Sequence, residues 1–217
     1  VRKNKFDACF TVLHNHSEFQ KEVNTRVFHL PFAANENVFK DYKLGKSLDL
    51  GFSGNLFNSP VYKDPELNLM GKHFNNIRER VYEKINSPLF KDYKIWWNSN
   101  PSKNIYGQEY SKLINSSKLW LNTTSASEIV GTRFYEIMGS NTLLFCLECP
   151  WAYEELGIID GETCVTFRND LSDFYDKFRF YVENDKIRGE IVKKAYKLFI
   201  ANHTWSHRVD FVLSKYR

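Results

Sequence analysis

In the stretch "SEIVGTRFYEIMGSNTLLFCLE", residues 127–148, Glu128 and Glu136 stand with seven residues between them. "TRFYEIMGS" (132–140) reads as a helix, a short polar break follows, and "NTLLFCL" (141–147) reads as a strand. The strand is a continuous apolar run rather than an alternation, so both of its faces are expected to be buried. Charge this close to an interior strand needs a cause, and the flanking sequence supplies it.

Upstream, "KLWLNTT" (118–124) is a strand, preceded by the helix "GQEYSKLINSS" (107–117) and the strand "YKIWW" (93–97). Phe74, Ile77, Val81 and Ile85 repeat at helical spacing and predict a helix over 73–85. Before it lie a polar loop with Pro60 and Pro65, and the strand-to-turn segment "LDLGFSGNL" (48–56). The chain opens with a strand over 6–13, a short helix over 17–24 and an extended piece, "VFHLPFAA" (27–34). Downstream come a brief helix over 151–157, a strand over 163–167, helices over 171–185 and 186–203, and a last helix toward the C-terminus. Strands separated by helices of about ten residues predict βαβ units. The fold class is therefore α/β, a Rossmann-like parallel sheet with helices on both faces. In such sheets ligands lie beyond the carboxyl ends of the strands. The loop holding Ser125 to Gly131 is one such end, and the charge belongs to it.

Composition narrows the partners. With 42% hydrophobic and 26% charged residues, the 217-residue chain is ordinary globular material with a sizeable core. The net charge of +4 suits an anionic ligand, but Lys and Arg are scattered among acids with no dense basic stripe, so nucleic acid is not the expected partner. No apolar run approaches about 18 residues and no secretion signal is visible, so a cytoplasmic location is expected. Four cysteines, Cys9, Cys146, Cys149 and Cys164, include the redox-like spacing "CLEC". Cys146 falls inside a strand rather than at a strand-to-helix turn, and zinc would need two more ligands, so inert buried thiols are expected. The triplets beginning at Asn115, Asn122 and Asn202 match a glycosylation acceptor and read as chance. The absence of a Walker loop argues against ATP or GTP hydrolysis, and the absence of an Asp-x-Asp pair argues against a metal-dependent sugar transferase.

The segment around Gly131 carries the chemistry. A helix N-terminus offers unpaired N–H groups and partial positive charge. Gly131 lets a ligand approach the backbone, and Thr132 can cap the helix or donate its hydroxyl. Arg133 can reach a phosphate or pair with Glu136 one turn on. Glu136 can accept two ribose hydroxyls, and Glu128 can reach another part of the same ligand. The plain alternative is an Arg133–Glu136 surface pair at a helix end. Other strand ends add candidates: the turn "GFSGNL", with Gly54 and Asn55, could run past a phosphate, and Arg78 and Arg80 are possible phosphate partners. Asn98, in "WWNSN", could read a base edge. His14 and His16 lie in the N-terminal segment, and His203 and His207 suit capping and packing.

"YSKLINSSKLWLNTT", "GTRFYEIMGSNTLLFC" and the segments from "EELGIIDGETCVTF" to "NHTWSHRVD" resemble the C-terminal, nucleotide-sugar-binding domain of GT-B glycosyltransferases. Within that class they are most similar to the CgeB-like group with its "glycosyl transferases group 1" domain. "DLGFSGNL" and "VFHLPFAANENVF" agree with that group, so the resemblance covers about residues 27 to 212. It implies a GT-B C-terminal-domain fold that transfers a sugar from a nucleotide-diphosphate sugar to an acceptor, glycan or protein, with no metal and no other cofactor. By resemblance Glu136 binds the ribose hydroxyls, Glu128 faces the donor sugar, and Arg133 holds the diphosphate or fixes the glutamate. Asn141 departs from the group's glycine. The resemblance also implies that residues 1–26 are the end of an acceptor-side domain, 27–200 the nucleotide-sugar-binding domain and 201–217 a C-terminal helix. A partner domain would then complete the acceptor site. A non-catalytic scaffolding module on the same fold is the other reading.

Overall fold

Along three consecutive strands the side chains Leu50, Phe52, Leu119, Leu121, Leu143 and Phe145 pack into one hydrophobic cluster, and Trp120, Leu144 and Cys146 pack into another. All of these residues are 0 or 1% exposed. Successive strand residues point to opposite faces, so a run buried at every position demands a cover on both sides. The computed structural model supplies it. The structure describes residues 6–13, 16–56, 77–103, 105–124, 129–148 and 154–216.

Seven strands are present among the described residues: β1 Ala8–Thr11, β2 Arg26–His29, β3 Leu48–Ser53, β4 Ile95–Asn98, β5 Ser117–Asn122, β6 Leu143–Leu147 and β7 Val165–Phe167. The helices are α1 His16–Glu22, α2 Ile77–Ile85, α3 Gly107–Asn115, α4 Thr132–Gly139, α5 Phe174–Glu183, α6 Asp185–Asn202 and α7 Trp205–Ser214. The five strands β3 to β7 form one sheet in the order β4-β3-β5-β6-β7, and every pairing in it is parallel. Ile77, Val81 and Ile85 of α2 and Phe174, Phe178 and Val182 of α5 cover one face. Tyr110 and Ile114 of α3 and Phe134, Ile137 and Met138 of α4 cover the other, while α6 gives Ile191 and Val192 to the first core and Ala195 and Phe199 to the second. The α/β class with helices on both faces is the observed architecture.

Strand lengths differ modestly from expectation. The strand read over 48–56 ends at Ser53, and the one read over 163–167 narrows to Val165–Phe167. The beginning of the helix read from His73, and most of the loop before it, lie outside the described residues. The helix read over 151–157 is a helical turn at 154–156, and its first three residues also lie outside them.

The N-terminal β1–α1–β2 unit is a separate two-stranded parallel sheet. Phe10 and Phe28 stack at 5.6 Å, and Phe211 of α7 meets both rings edge-on. β2 starts at Arg26, so Val27 to His29 pair with β1 and not with the large sheet. The chain then runs to Ala34, which bridges to Thr204. Arg208 fastens this crossing: its guanidinium donates to the carbonyls of Pro31 at 2.7 Å, Phe32 at 2.9 Å and Asn202 at 2.7 Å. It also donates to His203 Nδ1 at 3.0 Å. That fixes the His203 tautomer, because Nδ1 accepts and Nε2–H donates to the Leu156 carbonyl at 2.9 Å. Burial pushes the His203 ring down to about 4, so it is neutral in the fold. Thr204 Oγ1 and His207 Nδ1 lie 2.7 Å apart, and His203 is the C-cap of α6 and packs in the interior.

Lys46 does comparable work at the amino-terminal end of the sheet. Its ammonium donates to the carbonyls of Asn115 at 2.7 Å and Asn141 at 2.6 Å and to Thr142 Oγ1 at 3.2 Å, and burial pushes it down to about 8. Asn141 sits at φ 52°, a left-handed conformation that asparagine tolerates better than most residues. The departure from glycine there therefore leaves the turn intact. Cys146 and Cys164 are buried free thiols, and their mutual hydrogen bond with burial pushes Cys164 well above the ordinary thiol range. Cys149 lies outside the described residues, so the "CLEC" pair is described only at Cys146. Asn115 and Asn122 are 1 and 5% exposed, too buried to accept a glycan.

One glycine is required by close approach. A Cβ on Gly51 would lie 2.2 Å from two atoms of the six-membered ring of Trp120, which is itself fully buried. Gly51→Ala is expected to cost about 3 kcal/mol through overpacking, read as a lowered denaturation midpoint with an unchanged m-value. His203 gives a second expectation. Between pH 6.5 and about 4 the unfolded ring binds a proton that the native ring refuses, so stability rises with pH across that window and is lost as pH falls through it. The loss is on the order of 3 kcal/mol, measurable by denaturant titrations at a series of pH values. His203→Gln should flatten that segment of the curve.

Candidate functional site

In strand order β4-β3-β5 the connection from β3 leaves to one side and the chain returns on the other, so the topological switch point lies between β3 and β5. A crevice is expected outside the carboxyl ends of these two strands. β3 ends at Ser53 and β5 at Asn122, and the residues that follow them gather the charge.

Two arginines converge there from opposite faces of the sheet. Arg78, at the second position of α2, donates through Nε to Thr123 Oγ1 at 2.8 Å and through Nη1 to the Asn55 carbonyl at 2.9 Å. Its guanidinium lies 5.8 Å from the centre of the Phe52 ring. Arg133, in the first turn of α4, donates through Nη1 to the Ser53 carbonyl and lies 5.4 Å from the Tyr110 ring centre. Between them is Gly54: the point its Cβ would occupy is 3.3 Å from Arg78 Nη1 and 3.5 Å from Arg133 Nη1. Two positive groups beside bare backbone make a seat for an anion with more than one charged oxygen.

Glu136 sits one turn beyond Arg133, its Oε2 4.0 Å from Arg133 Nε. That is an ion pair and too long for a hydrogen bond. The Glu136 side chain is only 18% exposed, and burial pushes its carboxyl above the usual range while Arg133 pulls the other way. The sequence reading of a plain exposed capping pair does not describe this glutamate, which is mostly buried beside the crevice. Gly131 is the N-cap, in extended conformation with no side-chain cap, and a Cβ on it would meet nothing within 4 Å. Thr132 begins the helix. The amides of this first turn and the open face of Gly131 thus border the crevice.

Not every candidate is placed alike. Asn98 closes β4 and is 8% exposed, and its amide donates to the Lys103 carbonyl at 3.0 Å while its side-chain oxygen accepts the Asn100 N–H at 3.0 Å. It shapes the 98–103 turn, and its backbone carbonyl ties to the Gly54 N–H at 3.0 Å. Asn55 contributes its backbone carbonyl to Arg78. Glu128 lies outside the described residues. Two participants escaped the sequence reading, Thr123 and Tyr110. Thr123 carried a usable signal, since it directly follows a strand's carboxyl end. Tyr110 reads as a core residue of an amphipathic helix, which it also is. Among the described residues no cluster of three or more His, Cys, Asp or Glu is placed to hold a metal ion, and no helix is long and apolar enough to cross a membrane.

The doubly covered parallel sheet, with two arginines at its switch point, has the fold of a GT-B domain. The model of the glycosyl transferase-like family matches residues 59–214, and the chain belongs to that family. Sucrose-phosphate synthase from Thermosynechococcus elongatus is similar at a TM-score of 0.66 and 11% identity, over 98% of this chain and 58% of that one. TarM of S. aureus, crystallised as a point mutant with fondaparinux, alpha-GlcNAc-glycerol and UDP, is similar at 0.62 and 14% identity, over 99% of this chain and 44% of that one. The pneumococcal O-GlcNAc transferase GtfA, in complex with UDP and GlcNAc, is similar at 0.57 and 13% identity, over 96% of this chain and 44% of that one. The chain therefore spans about half the length of these structures. No curated protein matches it.

Gly54→Ala tests the seat. Its new methyl would press 3.1 Å from Phe52 Cζ and against both guanidinium tips, which are flexible enough to move aside. Stability should change by less than about 1 kcal/mol, while inorganic pyrophosphate binding, followed by calorimetry, should weaken several-fold.

Proposed function

We propose that this chain is the donor-binding half of a metal-independent glycosyltransferase, which moves a sugar from a nucleotide-diphosphate sugar to a glycan or protein acceptor. The observation that carries the reading is the convergence of Arg78 and Arg133 on Gly54, with the buried Glu136 one turn away. A nucleoside diphosphate has two chemical parts that match this arrangement. Its phosphate oxygens need cations and N–H donors, which the arginines, Gly131 and Thr132 offer. Its ribose hydroxyls need an acceptor, which an ionised Glu136 offers. Glu128 is assigned to the donor sugar by the resemblance of its segment to GT-B donor-binding domains.

The chemistry asked of these groups is electrostatic. As the bond from the sugar to the diphosphate breaks, negative charge grows on the leaving oxygen. Fixed guanidinium groups and helix N–H groups stabilise it without a metal ion, because they need no reorganisation at that moment. Arg133 acts on the leaving diphosphate, and Glu128 acts at the sugar. The acceptor site falls to a second domain or partner. The chain's share of its structural relatives, 44 to 58%, leaves room for one of comparable size, and the β1–α1–β2 unit would be its nearest neighbour.

Calorimetric titration with UDP, GDP and TDP in the presence of EDTA tests the reading. Binding of at least one is expected, and no heat with any of them at millimolar concentration would overturn the donor site. Glu136→Ala should weaken that binding about ten-fold or more, as expected for a hydrogen-bonded charged group, with little change in melting temperature. Since burial raises the Glu136 carboxyl, nucleotide affinity should begin to fall at a higher pH than an ordinary carboxylate would dictate. Glu136→Gln should lose that pH dependence.

A further inference from the structure

Arg133 is held in place by a small set of contacts. It donates one hydrogen bond through Nη1 to Ser53, its Nε is buried with no hydrogen-bond partner among the described residues, and Glu136 stands 4.0 Å from it. The remaining contact is the aromatic face of Tyr110, 5.4 Å from the guanidinium carbon. Tyr110 comes from α3.

The Tyr110 ring is unusually well fixed. It is 5% exposed, meets Trp120 at 5.6 Å and 83°, and meets Phe39 at 6.4 Å and 81°. Trp120 in turn lies against Trp96 at 5.6 Å and over the missing side chain of Gly51. Perpendicular contacts on a ring restrict its tilt, so the face it presents has one direction. Burial pushes the Tyr110 hydroxyl up to about 12, so at neutral pH the residue offers a neutral π-face and not a phenolate. The hydroxyl lies beside Ser53 and the Trp120 indole without a well-formed hydrogen bond, and Trp120 Nε1 also lacks one. A core residue kept for packing alone would be more stable as phenylalanine. The hydroxyl reaches the edge of the site beside Ser53, and the ring face is the part that meets the Arg133 guanidinium.

We propose that Tyr110 is a positioning residue for the donor site: its ring holds the Arg133 guanidinium at the switch point, in the orientation that meets the donor's phosphates. The proposal rests on the donor-site reading above. A guanidinium over an aromatic face is held both by the ring's charge distribution and by stacking, and the contact strengthens when water is excluded. Tyr110 thereby acts on the nucleotide through Arg133 and touches no part of it.

The test is a double-substitution cycle read by calorimetry with whichever of UDP, GDP and TDP binds the wild-type chain. Tyr110→Phe should bind within about two-fold of wild type and melt no lower. Tyr110→Met should weaken binding about five- to thirty-fold, the range expected for a desolvated cation–π contact. In the Arg133→Ala background, Tyr110→Met should change nothing further, because the group it positions is gone. Progressive fluorination of a phenylalanine placed at 110 keeps the ring's shape, drains its negative face and should weaken binding stepwise, so the result does not depend on Met being tolerated in the core. Equal losses from Tyr110→Met with and without Arg133, a loss from Tyr110→Phe as large as that from Met, or indifference to fluorination would each overturn the inference. If the wild-type chain binds none of the three nucleotides, the donor-site reading fails and this one with it. Binding by wild type with any of the other adverse results sinks the positioning role alone.

Discussion

The contact between Trp120 and Gly51 governs more of this molecule than any other single feature. The two residues face each other across neighbouring strands, and the indole takes the space where a side chain would be. Because the indole lies that close to the sheet, Trp96 and Tyr110 can pack around it, and Tyr110 comes within reach of Arg133. A methyl group on Gly51 would therefore do more than crowd a core. It would lift the aromatic platform on which one of the two crevice cations rests.

The crevice is also prepared electrostatically before any ligand arrives. Backbone carbonyls at Ser53 and Asn55 and the hydroxyl of Thr123 hold the guanidinium groups where the strands end. Two like charges brought together would otherwise repel, and each carbonyl offsets part of that cost. Glu136 contributes the opposite sign at 4.0 Å while remaining mostly buried. The charged groups of the crevice are thus ordered by the fold itself, which reduces the conformational entropy that binding a ligand there would cost.

The alternation of apolar runs with amphipathic segments made the sheet legible in the sequence, because a parallel strand buried on both faces leaves few alternatives. The position of Arg133 and Glu136 at a strand's end followed from the same alternation. Other features could not be read that way. Strand order decides where the switch point falls, and nothing in "LDLGFSGNL" says that β3 lies between β4 and β5. Asn98 fits a base-reading amide by type and place, and its side chain also donates to the Lys103 carbonyl and accepts from the Asn100 N–H within its own turn. Tyr110 was hidden for a different reason: a tyrosine on the buried stripe of a helix has the same sequence pattern whether it carries a cation or only fills space. β2 runs from Arg26 to His29 and pairs with β1, so the extended piece read from Val27 starts one residue earlier, at Arg26.

Arg208 joins residues far apart in the chain, reaching the Pro31 carbonyl across 177 positions and the Phe32 carbonyl across 176. During synthesis the segment around Pro31 leaves the ribosome long before Arg208 does. Until then its carbonyls lack the partner that buries them, and His203, the neighbour that accepts from the same guanidinium, is absent too. The β3–β7 sheet has all its strands by Phe167 and can assemble earlier, whereas the crossing that ties the first strands to the last helix must wait. A ribosome that stops before residue 208 would release a chain with its five-stranded sheet in place and its N-terminal strap unfastened. Quality control acting on such a truncated product would meet exposed backbone at residues 31–34 rather than a disrupted sheet.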